Sequence, residues 1–202
     1  MTKKTKTPSA LRPAKAGPGR ADARRNLESV LQAALAVFDK SGVDAPVREI
    51  AERAGVGVAT LYRHFPQRSD LIVAIVRQEV DACAEAAIAL AAKLPPAAAL
   101  AAWMQRLVDL IATKRGLAAA LHAGGSAYQA LPDYFSQRLT PALKSLLDAA
   151  ISAKAIRAGV DAHELLMAGA RLATPAAEGD LPQARRMVAL LTDGLVTRPG
   201  NR

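Results

Sequence analysis

The sequence predicts an all-α protein of about nine helices, with short ones near the N-terminus and longer ones after. Three observations carry this. Aromatic residues make up only 3% of the 202 residues while Ala-rich stretches recur, and Ala, Leu, Arg and Glu favour helix over sheet. Apolar residues return at spacings of three and four, and no strand-like alternation of useful length appears. Gly or Pro marks several of the boundaries between the periodic segments, as at Gly42, Pro46, Gly55, Pro66 and Pro95-Pro96.

Taken in order, Leu27, Val30, Leu31, Ala34, Val37 and Phe38 form the apolar stripe of a first helix of roughly five turns, closed at Gly42 after Ser41. Asp44-Ala45-Pro46 is a short connection, and Pro suits a helix start because its missing N–H would be unpaired there. Ile50, Ala51 and Ala54 give the inner face of a second, short helix that Gly55 breaks, and Val58, Leu61 and Phe65 that of a third, ended at Pro66. A long helix from about Arg68 to Lys93 follows, with Leu71, Ile72, Ile75, Val76, Val80 and Cys83 along one side. Pro95-Pro96 opens a helix to about Thr113, and a short one covers Arg115 to His122 before Gly124-Gly125. Later helices run from about Asp133 to Lys154, from Asp161 or Ala162 to Thr174, and from Pro182 to Val196.

The net charge of +9 is unevenly distributed. Residues 1–25 hold eight Lys/Arg against the single acid Asp22, together with Pro8, Pro13, Gly17, Pro18 and Gly19, whereas residues 26–78 hold six charges of each sign. Residues 1–22 are therefore expected to be a disordered basic arm, either attractive to a polyanion or merely solubilising. No apolar run approaches a membrane span and no apolar segment follows the N-terminal cations, so a cytoplasmic protein without membrane contact is expected. The lone Cys83 excludes an internal disulfide and any multi-Cys metal site, and reads as a small core residue. His163 and Glu164 are adjacent rather than one helical turn apart, so they make no helical metal site. No phosphate-binding Gly loop, nucleophile elbow or paired carboxylates appear; neither an enzyme nor a cofactor is expected.

The densest chemistry lies in residues 47–71, "VREIAERAGVGVATLYRHFPQRSDL". On a helix at 100° per residue, Val58, Leu61 and Phe65 point one way, and Ala59, Thr60, Arg63 and His64 the other, with Tyr62 at the border. A small residue at 59 allows close approach to a base edge. Thr60, Tyr62 and His64 suit phosphate oxygens, Arg63 suits a guanine edge or a phosphate, and Arg68 adds a cation at the next helix start. Two short helices joined by a Gly-containing turn, the second bearing such a face, fit a helix-turn-helix. The alternative is a helical hairpin with a solvated face.

The residues from "ESVLQAALAVFDKSGVDA" through "VREIAERAGVGVATLYRHFPQRSDLI" resemble the N-terminal DNA-binding domain of the TetR family of bacterial transcriptional regulators. The resemblance covers about residues 24–75. It rests on the "F..SG" end of the first helix, "IAERAGV", "TLYRHF" and the basic residue three after that Phe. It implies a DNA-binding domain over 23–68 and a helical ligand-binding and dimerisation domain over 69–198. It also implies a homodimer pairing through helices at about 161–174 and 182–196, binding a pseudo-palindromic double-stranded operator. Such proteins are usually repressors released by a small ligand. Tyr62 and His64 match the family's phosphate contacts, Thr60 a phosphate or base contact, and Arg68 its customary Lys; Arg48, Val58, Ala59 and Arg63 match positions that read sequence. Pro46 stands where the family often has a capping Thr, so Asp44 is expected to supply the cap.

Beyond residue 80 the resemblance is generic. Leu165, Leu166, Ala168, Gly169, Ala170, Leu172 and Ala173, with Val188, Leu191 and Leu195 on the last helix, suit close packing, either across a dimer or within one subunit. Pocket candidates are the rarer side chains Trp103, Met104, His122, Tyr128, Tyr134, Phe135, Met167 and Arg171, each of which also fits an ordinary core. Arg171, in an apolar stretch, would meet an acidic ligand or only Asp109 or Glu178. The leading reading is a repressor released by a small hydrophobic or amphipathic effector. A DNA-binding regulator governed by a protein partner or by abundance, and a helical enzyme or carrier, are the alternatives.

Overall fold

The computed structural model describes residues 18–113, Leu117, Leu121, 126–174 and 180–197. Most of the expected basic arm, nearly all of the short helix expected over 115–122 with His122, Gly124-Gly125, and Glu178 lie outside them. Eight α-helices have bounds within these residues: α1 (Pro18–Ser41), α2 (Val47–Ala54), α3 (Val58–His64), α4 (Arg68–Lys93), α5 (Pro96–Thr113), α6 (Leu131–Ser152), α7 (Ala162–Leu172) and α8 (Leu181–Asp193). A single 3-10 turn, Ser126–Tyr128, precedes α6. The described residues contain no strand, only an isolated antiparallel bridge between Ile156 and Val196 that ties the α6–α7 connection to the chain end. No described helix is long and apolar enough to cross a membrane. The helix boundary differs from expectation at the start: Pro18–Asp22, assigned to the disordered arm, are the first turn of α1, and Pro there has its φ already set for helix.

The first three helices fold around one apolar centre. Val30, Leu31, Ala34, Val37 and Phe38 of α1 meet Ile50 and Ala51 of α2, Leu61 of α3 and Phe65, all buried. Gly42 closes α1 at φ 78°, its N–H donating to the Phe38 carbonyl at 3.0 Å. Gly55 closes α2 in the same left-handed conformation, at φ 69°. There Gly55 N–H donates to Glu52 and Val56 N–H to Ala51, the paired bonds of a Schellman end. An L side chain is strained at such a φ. Gly57, by contrast, is extended at φ −69° and serves as the α3 N-cap.

The start of α2 departs from expectation. Pro46 is its N-cap, no side chain caps it, and Asp44 makes no such bond. Lacking an N–H itself, Pro46 leaves one fewer donor to satisfy at this end, and its carbonyl accepts from Glu49 N–H at 3.0 Å.

α4 joins the two halves. Its buried side chains run from Leu71, Ile72, Ile75 and Val76 through Val80 and Cys83 to Ala87. They belong to one continuous apolar cluster that includes Phe38 and Leu61 at one end and Trp103, Leu139 and Leu166 at the other. In the C-terminal half α4 packs along α5 and α6, α5 along α8, and α7 across α5 and α6. Cys83 is buried as expected. Trp103 is fully buried, and its Nε1–H donates to the Cys83 carbonyl at 2.8 Å, fixing α5 to α4.

Candidate DNA-contacting face and C-terminal cavity

α3 presents the outward face that the sequence predicts. Ala59, Tyr62, Arg63 and His64 are exposed and Thr60 is half-buried, while Leu61 and Phe65 anchor the helix. Val58 departs from the predicted inner face: it is 37% exposed, standing with the outward residues. At the first position of a seven-residue helix it precedes the turn that Leu61 buries. Tyr62 is 51% exposed, and it also borders a narrow crevice with Phe38, Val47 and Leu71. Its ring is therefore held from one side while its hydroxyl is available to an acceptor such as a phosphate. Arg48, on α2, is exposed and pairs with Glu52 at 2.9 Å. A solvent-exposed i,i+4 pair contributes little, ~0–1 kcal/mol, so its guanidinium is readily exchanged to another anion.

Arg68 sits differently from the rest. It is half-buried, its Nη1 donates to the Val43 carbonyl, and its guanidinium lies over the Phe38 ring, 5.9 Å from the centroid. The first residue of α4 thus grips the α1–α2 turn, a tie that fixes how the three-helix unit sits on α4. Beside it, Gln67 N–H donates to the Asp70 carboxylate at 2.9 Å and closes the first turn of α4. Arg53, exposed in the last turn of α2, is a further surface cation that sequence reasoning passed over.

The C-terminal half contains a cavity of about 470 Å³, within the range that holds drug-sized ligands. Its walls are Val76 of α4, Ile111 of α5, Leu131, Pro132, Phe135 and Ser136 of α6, and Leu121. Tyr128 of the 3-10 turn, and Met167, Ala170, Arg171 and Thr174 from α7 and just beyond it, complete the lining. Of the sequence candidates, Tyr128, Phe135, Met167 and Arg171 line it. Trp103 and Met104 do not: both are fully buried, and the tip of Met104 packs where Gly169 leaves room for it. Tyr134 is turned to α4, where its hydroxyl is 2.8 Å from both Asp81 oxygens. Arg138 joins the same carboxylate at 2.6 Å and the Arg77 guanidinium lies over the Tyr134 ring at 4.9 Å, so a polar brace locks α4 to α6. His122 lies outside the described residues. The residues missed, such as Ile111, Leu131 and Ala170, are common apolar types that no sequence signal separates from core. The i, i+3, i+4, i+7 spacing of Met167, Ala170, Arg171 and Thr174 was the one available clue.

Tyr128 connects the cavity with the start of α4. Burial, and then the nearby Asp70 carboxylate, hold its phenol pKa above the ordinary value, so it remains a protonated donor at neutral pH. Asp70 is the same residue that closes the first turn of α4 beside Arg68.

The small apolar residues expected to pack helices do so largely within this chain. Leu165, Leu166, Gly169, Ala173, Val188 and Leu195 are buried in the subunit's own core. The large apolar side chains left exposed on these helices are Leu172, Met187 and Leu190, with Val196 beyond α8. The described residues contain no cluster of His, Cys, Asp and Glu fit to hold a metal.

Two family models match the chain. That described as bacterial regulatory proteins, tetR family, covers residues 30–75, and that described as transcriptional regulator SbtR-like, C-terminal domain, covers residues 95–197. An HTH-type transcriptional regulator of Staphylococcus aureus (strain USA300) is 36% identical over 63 residues, 31% of this chain and 34% of its own length. The chain thus spans about a third of the curated relatives it matches. Among solved structures, a TetR transcriptional regulator from Streptomyces coelicolor is 39% identical and superposes with a TM-score of 0.71, covering 84% of this chain and 98% of that one. A TetR transcription regulatory protein from Mycobacterium vanbaalenii is 34% identical with a TM-score of 0.70, covering 89% and 100%.

The position of Arg68 yields a measurable consequence. Arg68→Ala is expected to lower stability by ~1–2 kcal/mol in urea unfolding without DNA, since it removes a partly buried hydrogen bond and a cation–π interaction. A purely phosphate-binding cation would leave the midpoint unchanged.

Proposed function

The chain belongs to the TetR family of bacterial transcriptional regulators, and from that premise we propose that it is a homodimeric repressor. In this reading it binds a pseudo-palindromic operator through α3 and is released by a small hydrophobic or amphipathic effector held in the C-terminal cavity. The observation that carries the DNA half is the α3 surface: an exposed face of Ala59, Thr60, Tyr62, Arg63 and His64 on a helix anchored from beneath by Leu61 and Phe65. Tyr62, His64 and Thr60 set the register on phosphates, while Val58, Ala59, Arg63 and, from α2, Arg48 read bases. Arg68 acts chiefly by holding the three-helix unit on α4, with any phosphate contact secondary.

The effector half is supported by the cavity, whose walls include α4, the helix that follows α3 directly. A ligand that prefers a different placement of α4 from the one DNA requires shifts the population away from the DNA-bound state. Dimerisation through α7 and α8 is supported by the apolar side chains they leave in solvent, with Leu190 62% exposed. The two-fold axis of such a dimer would be mirrored in its operator.

The binding assignment can be tested by fluorescence anisotropy over a panel of duplexes. Tyr62→Phe should weaken binding to every duplex about fivefold, the scale of removing one hydrogen bond, while Arg63→Ala should reorder the panel. Unchanged affinities and ranking in both variants would remove α3 from the interface.

The basic arm gives a second test. Residues 26–78 carry as many acids as bases, whereas residues 1–17 carry five cations and no acid. Deleting 1–17, which leaves α1 whole, should flatten the plot of log affinity against log salt by ~0.9 for each phosphate that the arm neutralises. An unaltered slope would make the arm a passive tail.

A further inference from the structure

We propose that the effector is an amphipathic anion, an apolar body ending in a carboxylate, whose head pairs with Arg171. This rests on reading the C-terminal cavity as the effector site and adds the chemistry of what fills it. Arg171 is the one charged side chain among the described lining residues; no Asp or Glu lines the cavity with it. Asp109, a candidate partner in sequence, is bound by Arg185 instead. The other walls are mostly apolar, with Phe135, Leu131, Ile111 and Met167 offering a surface for a hydrocarbon chain or ring.

The polar groups are few and of suitable kind. The Tyr128 phenol stays protonated and can donate, as can the Ser136 hydroxyl on α6. The Thr174 hydroxyl already donates to the Ala170 carbonyl at 2.9 Å, so it has only acceptor capacity left. A cationic amphiphile would meet the Arg171 charge with no carboxylate among the lining residues to offset it. A neutral one would leave the guanidinium unused, whereas a carboxylate accepts its paired N–H groups in a charge-assisted bond. Arg171 is exposed, so the head sits at the cavity mouth with the apolar body inside, and the charge need not be stripped of water completely.

Titration calorimetry with decanoate, decan-1-ol and decyltrimethylammonium, each below its aggregation threshold, tests this on the full-length protein. Decanoate is expected to bind about tenfold tighter than decanol, as for a charge-assisted hydrogen bond at a partly exposed site, with the cation weakest. Arg171→Gln should abolish that tenfold preference while changing decanol affinity less than about twofold, and Arg171→Lys should retain part of it. Equal binding of decanoate and decanol, a preference that survives Arg171→Gln, or no binding of any probe would overturn the proposal. Ala170→Phe, which puts a phenyl ring into the cavity from α7, separates it from the reading beneath it. If decanol matches decanoate and neither binds Ala170→Phe, the cavity stands as the effector site and only the acidic head falls. If Ala170→Phe leaves decanoate affinity unchanged, the ligand lies elsewhere and both fall.

Discussion

The structure depends on the burial of one side of α4 from Leu71 to Ala87. Leu71, Ile72 and Ile75 close the core of the three-helix unit, and Val76, Val80, Cys83 and Ala87 carry the same apolar stripe into the C-terminal half. Burial of each large side chain contributes ~1.5–3 kcal/mol, so neither half can discard the helix cheaply. One helix thus lines both ends of a single core, and a displacement of it at one end must be felt at the other. Polar ties at its start and its middle fix its placement: Arg68 on the Val43 carbonyl at the first residue, and the Asp81–Tyr134–Arg138 brace halfway along.

α3 is anchored from below. Leu61 and Phe65 hold it, and the left-handed Gly55 turns the chain sharply enough to lay it across α2. That division leaves Ala59, Tyr62, Arg63 and His64 exposed to solvent. The three-helix unit is nearly neutral in itself, so long-range attraction to a polyanion falls to the residues before α1. In the proposed function, register and sequence preference come from α3, and salt-dependent affinity from the arm.

Much of this was legible in the sequence, for identifiable reasons. The turn between α2 and α3 could be read because left-handed backbone calls for glycine and because Ile50, Leu61 and Phe65 keep helical spacing around it. The Schellman pairing at Gly55 and the burial of Leu61 and Phe65 agree with that reading. Val58 was misassigned because periodicity over seven residues places the first residue of a helix poorly. The inward grip of Arg68 was hidden, since an arginine at a helix start looks alike whether it meets a phosphate or a carbonyl from 25 residues earlier. Asp44 was a reasonable cap by residue type, yet the chain enters α2 through Pro46 without one. In the C-terminal half, residue rarity was a poor guide to the cavity. Trp103 and Met104 are rare because they fill core space, whereas the walls are built largely of ordinary Leu, Ile and Ala. Apolar periodicity likewise picked out the inner faces of α7 and α8, leaving Met187 and Leu190 to be found only in three dimensions.

The proposed function requires that α3, carried by a two-fold dimer, reads a DNA sequence. Selecting bound fragments from random duplex DNA tests it most directly. One pseudo-palindrome is expected to be enriched, its half-sites about one helical turn apart or more if the dimer spreads. Recovered fragments sharing no sequence, or a single unpaired half-site, would contradict it.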